Sequence, residues 1–260
     1  MNVFLLTDIE GIAGVDGIEY IDRDGEKYEI ACRELCRSIN IATDACFLSG
    51  ADKVYYLDGH GGGGNVIADA VDPRAKLCSF EEWHELLEAG EIDCVIELGA
   101  HARAGTVLGF LDHTITSKAW FSYRINGIEM SEISIQALFF GSYNVPVIAC
   151  IGDETVCEQT KEYIPGIFNG AVKRALSRNK AETYPNADDI LADTVKRALS
   201  GYRNVPIYKL DAPYTVELTF YRSDMCEEAL ERCSFGEVRV DARTIRRILP
   251  QIKAYGDLMF

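Results

Sequence analysis

Aspartate, glutamate and histidine bind hard and borderline metal ions, and five such residues stand at or just behind apolar runs in the first half of this 260-residue chain: Asp8, Glu10, His60, His101 and Glu132. In Val3-Phe4-Leu5-Leu6-Thr7-Asp8-Ile9-Glu10, the side-chain period of a strand puts Asp8 and Glu10 on one side of the backbone. Two carboxylates held that close repel each other unless a cation lies between them. His60 ends Lys53-Val54-Tyr55-Tyr56-Leu57-Asp58-Gly59-His60, and His101 ends Cys94-Val95-Ile96-Glu97-Leu98-Gly99-Ala100-His101. Carboxylate and imidazole donors without paired cysteines suit zinc, and less closely manganese or cobalt. Five donors exceed what one four-coordinate ion with an open position uses, whereas two ions about 3.5–4 Å apart, bridged by a carboxylate, would use all five. Such a pair polarises a carbonyl and acidifies bound water, which is hydrolytic chemistry.

Plainer roles exist for each residue taken alone. Asp8 and Glu10 also fit the capping of the turn Gly11-Ile12-Ala13-Gly14. The run Gly61-Gly62-Gly63-Gly64 after His60 suggests a phosphate cradle, but the Lys-Ser/Thr of a P-loop does not follow it. Those glycines would instead let the backbone approach a metal or substrate closely. His84 lies in the acidic amphipathic stretch Phe80–Glu88 and reads as a solvated surface residue outside the site. His113, twelve positions after His101 behind a glycine-aromatic turn, joins the candidates.

The elements that must bring these residues together follow from periodicity. Ile30, Leu35, Ile39, Ala42 and Cys46 recur at near-helical spacing over 24–49, which ends at Ser49-Gly50, and a strand follows at 53–58. Further strands at 93–98 and 145–151, with a helix over 129–143 between them, repeat the β-α-β order. That order predicts an α/β fold with a mainly parallel sheet flanked by helices, whose carboxyl strand ends share one ligand-binding edge. The helix over 129–143 would project Glu132 toward that edge. The segment 106–128 reads as a hairpin-like excursion closed by Asn126-Gly127. Past residue 165 the pattern is a helix at 187–200, strands at 206–209 and 214–221, a helix at 224–233, a strand at 237–241 and a final helix from 242. We therefore expect a catalytic metal-binding domain over 1–165 and a smaller C-terminal α+β lobe over 166–260, with a soft boundary, or else one continuous domain.

Composition bounds the function. With 26 basic against 41 acidic residues the formal charge is −15, a field that repels phosphate backbones and anionic lipid, so neither nucleic acid nor membrane is an expected partner. No apolar run approaches the roughly 18 residues that span a bilayer. The N-terminus reaches Asp8 without the pattern of a secretion signal, so a cytoplasmic location is expected. Nine cysteines are scattered without a C-x-x-C pair and read as buried free thiols.

Thr7-Asp8-Ile9-Glu10-Gly11-Ile12-Ala13-Gly14, Asp58-Gly59-His60, Gly99-Ala100-His101-Ala102-Arg103-Ala104, Asp112-His113-Thr114 and Asn126-Gly127 with Ser131-Glu132 occur here in a familiar order. The chain resembles the zinc D-aminopeptidases of the dipeptide-transport operon type over about residues 1–200, with further likeness in Asn144-Val145-Pro146-Val147, Gly152-Asp153 and Val172-Lys173-Arg174. The resemblance implies two zinc ions on Asp8, Glu10, His60, His101 and Glu132, with Asp8 as the bridge. It implies an additional active-site histidine at His113, serving as acid, base or oxyanion stabiliser. Asp58 is expected to orient His60 from behind. The family cleaves short peptides with an N-terminal D-amino acid and assembles as ring-shaped decamers, so a small peptide substrate and a homo-oligomeric ring are implied. The chain departs from the family in having Leu6 two residues before Asp8 and the glycine run at 61–64. Two other readings use the same residues: a metal-dependent amidase on a non-peptide substrate, and a regulatory metal- or nucleotide-binding module without catalysis.

Overall fold

Short, strongly apolar runs ending in polar residues become the strands of two sheets in the computed structural model, which describes residues 1–233 and 236–260. In chain order the elements are β1 (Asn2–Thr7), α1 (Tyr28–Leu48), β2 (Lys53–Asp58), β3 (Ala75–Leu77), α2 (Phe80–Glu88), β4 (Cys94–Ala100), β5 (Trp120–Ile125) and β6 (Ile128–Glu129). They continue with α3 (Glu132–Ser142), β7 (Val147–Asp153), α4 (Glu154–Tyr163), β8 (Phe168–Ser177), β9 (Lys180–Thr183) and α5 (Ala187–Gly201). The last are β10 (Tyr214–Phe220), α6 (Ser223–Arg232), β11 (Val238–Arg239) and β12 (Thr244–Leu249).

The first sheet has the order β3-β2-β1-β4-β7-β8-β9 and is parallel except for the β8–β9 pair. Its central strands β4 and β7 are buried along their whole length, which is why they read as unbroken apolar runs rather than as alternating ones. Helices flank it in two groups. The buried stripe of α1, Leu35, Ile39 and Ala42, lies on the side shared with α5, while α2 and α3 meet through Trp83 stacked on Phe139 and packed against Phe140 and Phe4. The second sheet is antiparallel in the order β11-β12-β10-β5-β6. Asn126-Gly127 forms its β5–β6 turn with both residues at positive φ, as the sequence predicts.

The α/β class stands, and several details differ from expectation. The stretch 206–209 forms no strand, and the region after 242 is β12 rather than a helix. Arg246-Arg247 disguised this strand, because Arg247 is only 2% exposed and spends its guanidinium on the carbonyls of Asp257 and Met259. β8, β9 and α4 were not foreseen. The two sheets also do not divide at residue 165: the first takes β8 and β9 from beyond it, and the second takes β5 and β6 from before it. All nine cysteines are free, eight of them buried and Cys233 half-buried. No helix among the described residues is long and apolar enough to cross a membrane.

Candidate metal centre

Strand register brings the donors to one place. Thr7, the last residue of β1, pairs with Asp58 on one side and Leu98 on the other, so the ends of β2, β1 and β4 lie side by side. The chain runs from β1 outward through β2 to β3, while β4 leads the other way to β7, so the order reverses between β1 and β4 and opens a crevice there. The chain ends are locked together: Asp8 N donates to Leu98 O (2.8 Å), Gly59 N to Thr7 O (2.9 Å) and Gly11 N to Gly99 O (2.7 Å). Gly99 has φ +90, and a Cβ there would lie 1.9 Å from Asp8 O, so the two strand ends can interlock only with glycine at this position.

Asp8 and Glu10 converge by a different route from the pleat the sequence suggested. β1 stops at Thr7, and residues 9–12 turn, with Ile12 N donating to Ile9 O at 3.3 Å. The turn brings Glu10 Oε2 to 2.8 Å and Asp8 Oδ1 to 3.2 Å from His60 Nδ1. The other oxygen of Asp8, Oδ2, lies 3.3 Å from His101 Nε2, which is 3.4 Å from Glu132 Oε1. One carboxylate thus faces two groups of donors, Asp8-Glu10-His60 and His101-His113-Glu132, each with its donor atoms within 4.8 Å of one another. All five sequence-nominated ligands and His113 are together.

His101 is buried, and its Nδ1 lies 3.0 Å from Ala102 O, a contact that fixes Nδ1 as an N–H donor and turns Nε2 toward the carboxylates, where it would offer its lone pair to a cation. That Nε2 is buried without a hydrogen-bond partner among the described residues. His113 repeats the arrangement, with Nδ1 2.9 Å from Leu111 O, Nε2 3.5 Å from Glu132 Oε1, and its ring stacked on His101 at 4.0 Å. An orphaned imidazole nitrogen aimed at carboxylates is what a cation site leaves when the cation is absent, and the donor set fits one. Glu132 opens α3 behind the N-cap Ser131, and its Oε1 also accepts from Ile115 N at 2.7 Å.

The charges are strongly linked. Burial works against ionising Asp8, but His101 and His60 outweigh it and hold the carboxyl well below its ordinary range. Burial likewise opposes charge on Glu132, and His101 and His113 hold it down. His60 is pulled down by burial and pushed up more strongly by Glu10 and Asp8, to about 10, and His101 is raised by Glu132 and Asp8 in the same way. Without a cation, the imidazoles themselves serve as the counter-charge.

Asp58 does not touch the His60 ring. Its oxygens accept from Asn65 N and Nδ2 (both 2.7 Å) and Val66 N (3.2 Å), and Asn65 Nδ2 in turn donates to His60 O at 2.7 Å. Asp58 therefore fixes the loop that carries His60, and Arg23 holds the same loop through the carbonyls of Gly61 (3.2 Å) and Gly63 (2.9 Å). His84 is half-buried, with Nε2 2.7 Å from Tyr143 Oη, and stays outside the site. The sequence reading missed Glu97, buried in β4 and pushed well up by burial with Glu132 and Asp8 nearby. Glu97, Asp8, His101, Glu132 and Gln136 line a cavity of about 30 Å³, room for one water-sized group. In the orientation that satisfies both of its ends, Gln136 donates to Glu132 O (3.1 Å) and Glu97 Oε2 (3.3 Å). Only its position inside an apolar run could have marked Glu97.

A D-aminopeptidase from Bacillus subtilis (strain 168) is 28% identical over 219 residues, 82% of this chain and 79% of that protein. The solved structure of the Zn-dependent D-aminopeptidase DppA from Bacillus subtilis, a self-compartmentalizing protease, has the same fold, with a TM-score of 0.92 at 23% identity over 100% of this chain and 95% of that one. A family model described as D-aminopeptidase matches residues 1–258, so the likeness extends through the region after residue 200 where the sequence motifs had faded. With that match spanning both sheets and every donor of the crevice, the chain belongs to the D-aminopeptidase family.

Proposed function

We propose that this chain is a dinuclear zinc aminopeptidase that hydrolyses short peptides bearing an N-terminal D-amino acid. The observation that carries the reading is the divided Asp8 carboxylate, with Oδ1 toward His60 and Oδ2 toward His101. Asp8, Glu10 and His60 would hold one ion, and Asp8, His101 and Glu132 the other. The metal pair supplies Lewis acidity toward the scissile carbonyl and an acidified water. Three donors per ion leave coordination positions for the substrate amine and carbonyl. The Nδ1 contact of His113 with Leu111 O supports a proton-accepting Nε2, which would take up a proton from the attacking water and then hand it to the leaving nitrogen or, while it carries it, steady the oxyanion. Burial of His101 and Glu10 keeps solvent from competing for their lone pairs.

The chain's membership of the D-aminopeptidase family supports the stereochemistry, and the self-compartmentalizing relative supports a homo-oligomer, which we take to be a ring-shaped decamer operating in the cytoplasm. The test is elemental analysis of protein purified without added metal, followed by assay on matched D,D- and L,L-dipeptides. About two zinc equivalents per chain and selective D,D-hydrolysis are expected. His101→Ala and Glu132→Ala should each lower turnover by at least about 100-fold with the fold kept. Normal turnover in either variant would remove the centre from the reaction.

A further inference from the structure

The motif Val172-Lys173-Arg174 lies in β8, separated from β1 by β4 and β7, yet the Lys173 side chain reaches the back of the metal centre. Lys173 is 0% exposed, and its Nζ donates to the carbonyls of Glu10 (2.5 Å), Ile12 (2.8 Å) and Val15 (2.6 Å). An ammonium has three N–H bonds and no acceptor, so three converging carbonyls use it completely. Without it those three oxygens would be buried with no donor in the place it fills. The Phe110 ring closes the remaining side, with its centroid 4.5 Å from Nζ.

These three carbonyls belong to the turn that carries Glu10 away from β1. The far end of that turn is tied separately, by Gly14 N donating to Thr183 Oγ1 (2.8 Å) and Ala181 N donating to Asp16 O (2.9 Å). Near Glu10 itself the turn is held by Gly11 N donating to Gly99 O (2.7 Å), by Ile12 N donating to Ile9 O (3.3 Å), and by the ammonium, which takes the carbonyl of Glu10. Phe110, whose N–H donates to Asp153 Oδ2 at 3.2 Å, also begins the segment that leads to His113. One cation therefore sits between the arm that carries Glu10 and the arm that carries His113.

We infer that Lys173 is a positioning residue for the metal centre, bending the Glu10–Val15 turn so that the Glu10 carboxylate stands 2.8 Å from His60 Nδ1, where the two would share an ion. The inference rests on the reading of Glu10 as a ligand. It is not a catalytic role, since Lys173 faces backbone and not the crevice.

The test uses the full chain in its native assembly and the isosteric variant Lys173→Met. Zinc affinity is measured by competition with a chromophoric chelator, and the visible spectrum is recorded after cobalt substitution. In the variant, one of the two metal equivalents should bind about 10- to 100-fold more weakly while the other keeps its affinity, and the cobalt bands of one site should shift. On a D,D-dipeptide in saturating zinc, kcat should fall with KM little changed. A folded variant with both affinities, the spectrum and kcat at wild-type values overturns the inference. If Lys173→Met does not fold, Lys173→Gln, which keeps N–H donors, is measured in the same way. Failure of both to fold also overturns it, because Lys173 would then serve the fold at large. Failure of the metal-centre reading is separable, since the unmodified protein would then take up no zinc.

Discussion

His60 shows how the converging donors are charged without a cation. Its folded pKa is raised from 6.5 to about 10: burial opposes the charge, and Glu10 and Asp8 more than restore it. The sign follows from that direction. In the metal-free protein, the stability that His60 contributes is fully present below about pH 6.5 and is lost as the pH rises through about 10. Near neutral pH the ring is therefore protonated, and a metal must displace that proton to bind. Zinc uptake by metal-free protein should release protons, read by calorimetry in two buffers of different ionisation enthalpy, and His60→Ala should release fewer. Uptake without proton release would contradict the charge state described here. The convergence of the donors was legible in the sequence because a polar donor directly behind an apolar run is conspicuous, and strand ends gather at one edge. The route by which Asp58 supports His60 was not legible, because proximity in sequence says nothing of Asn65 and Val66, whose donors meet both its oxygens. Lys173 lay in a stretch that carried the resemblance, but its role was not legible, since a lysine in a strand is ordinarily exposed and only the fold returns this one to the Glu10 turn.

At the scale of elements, the crevice depends on how closely β1 and β4 approach at their ends. Gly99 sits at φ +90 with its Cα almost against the Asp8 carbonyl, and an added Cβ would lie 1.9 Å from that oxygen. Backbone is the obstacle, so no side-chain rotation relieves it. Gly99→Ala should destabilise by more than about 4 kcal/mol in urea unfolding, through combined strain and overpacking. A loss under about 1 kcal/mol would mean that the strand ends part easily and that the register does not fix the donors. The strands on either side of this contact were read correctly from their apolar runs, and α1, α3 and α5 from their periodicity and boundaries. β8 and β9 escaped because their pattern mixes exposed lysine, arginine and glutamate with alanine, as suits an antiparallel extension at the edge of a parallel sheet. β12 escaped because a buried arginine looks polar in sequence whatever its surroundings.

Across the whole molecule, the chain passes from the first sheet to the second after β4, returns at α3, and leaves again after α5 for β10. His101 and His113 stand at the start and within the first of these crossings, and Glu132 stands at the return, so half of the metal centre is held where the sheets exchange chain. That arrangement favours the reading of one continuous domain over a division near residue 165. A fragment of residues 1–165 would keep every nominated donor yet lose β8, whose pairing covers the edge of the fully buried β7, and α5, whose Leu191, Val195 and Ala198 pack the same core. It would also lose Lys173 from behind Glu10, and β10, the partner of β5. A parallel strand buried on both faces has mostly apolar side chains to offer water once α5 is gone, and its freed edge leaves N–H and C=O groups unpaired, so the loss cannot be absorbed locally. The fragment should therefore show no cooperative thermal transition by circular dichroism and should bind zinc no more tightly than an unfolded chain with the same ligands. The full chain should melt cooperatively, bind zinc tightly and scatter light with a mass that is a multiple of 28.9 kDa. A fragment that melts cooperatively and holds two zinc equivalents would show that the first sheet closes on its own, and that β8, β9 and α5 are additions to a site already complete.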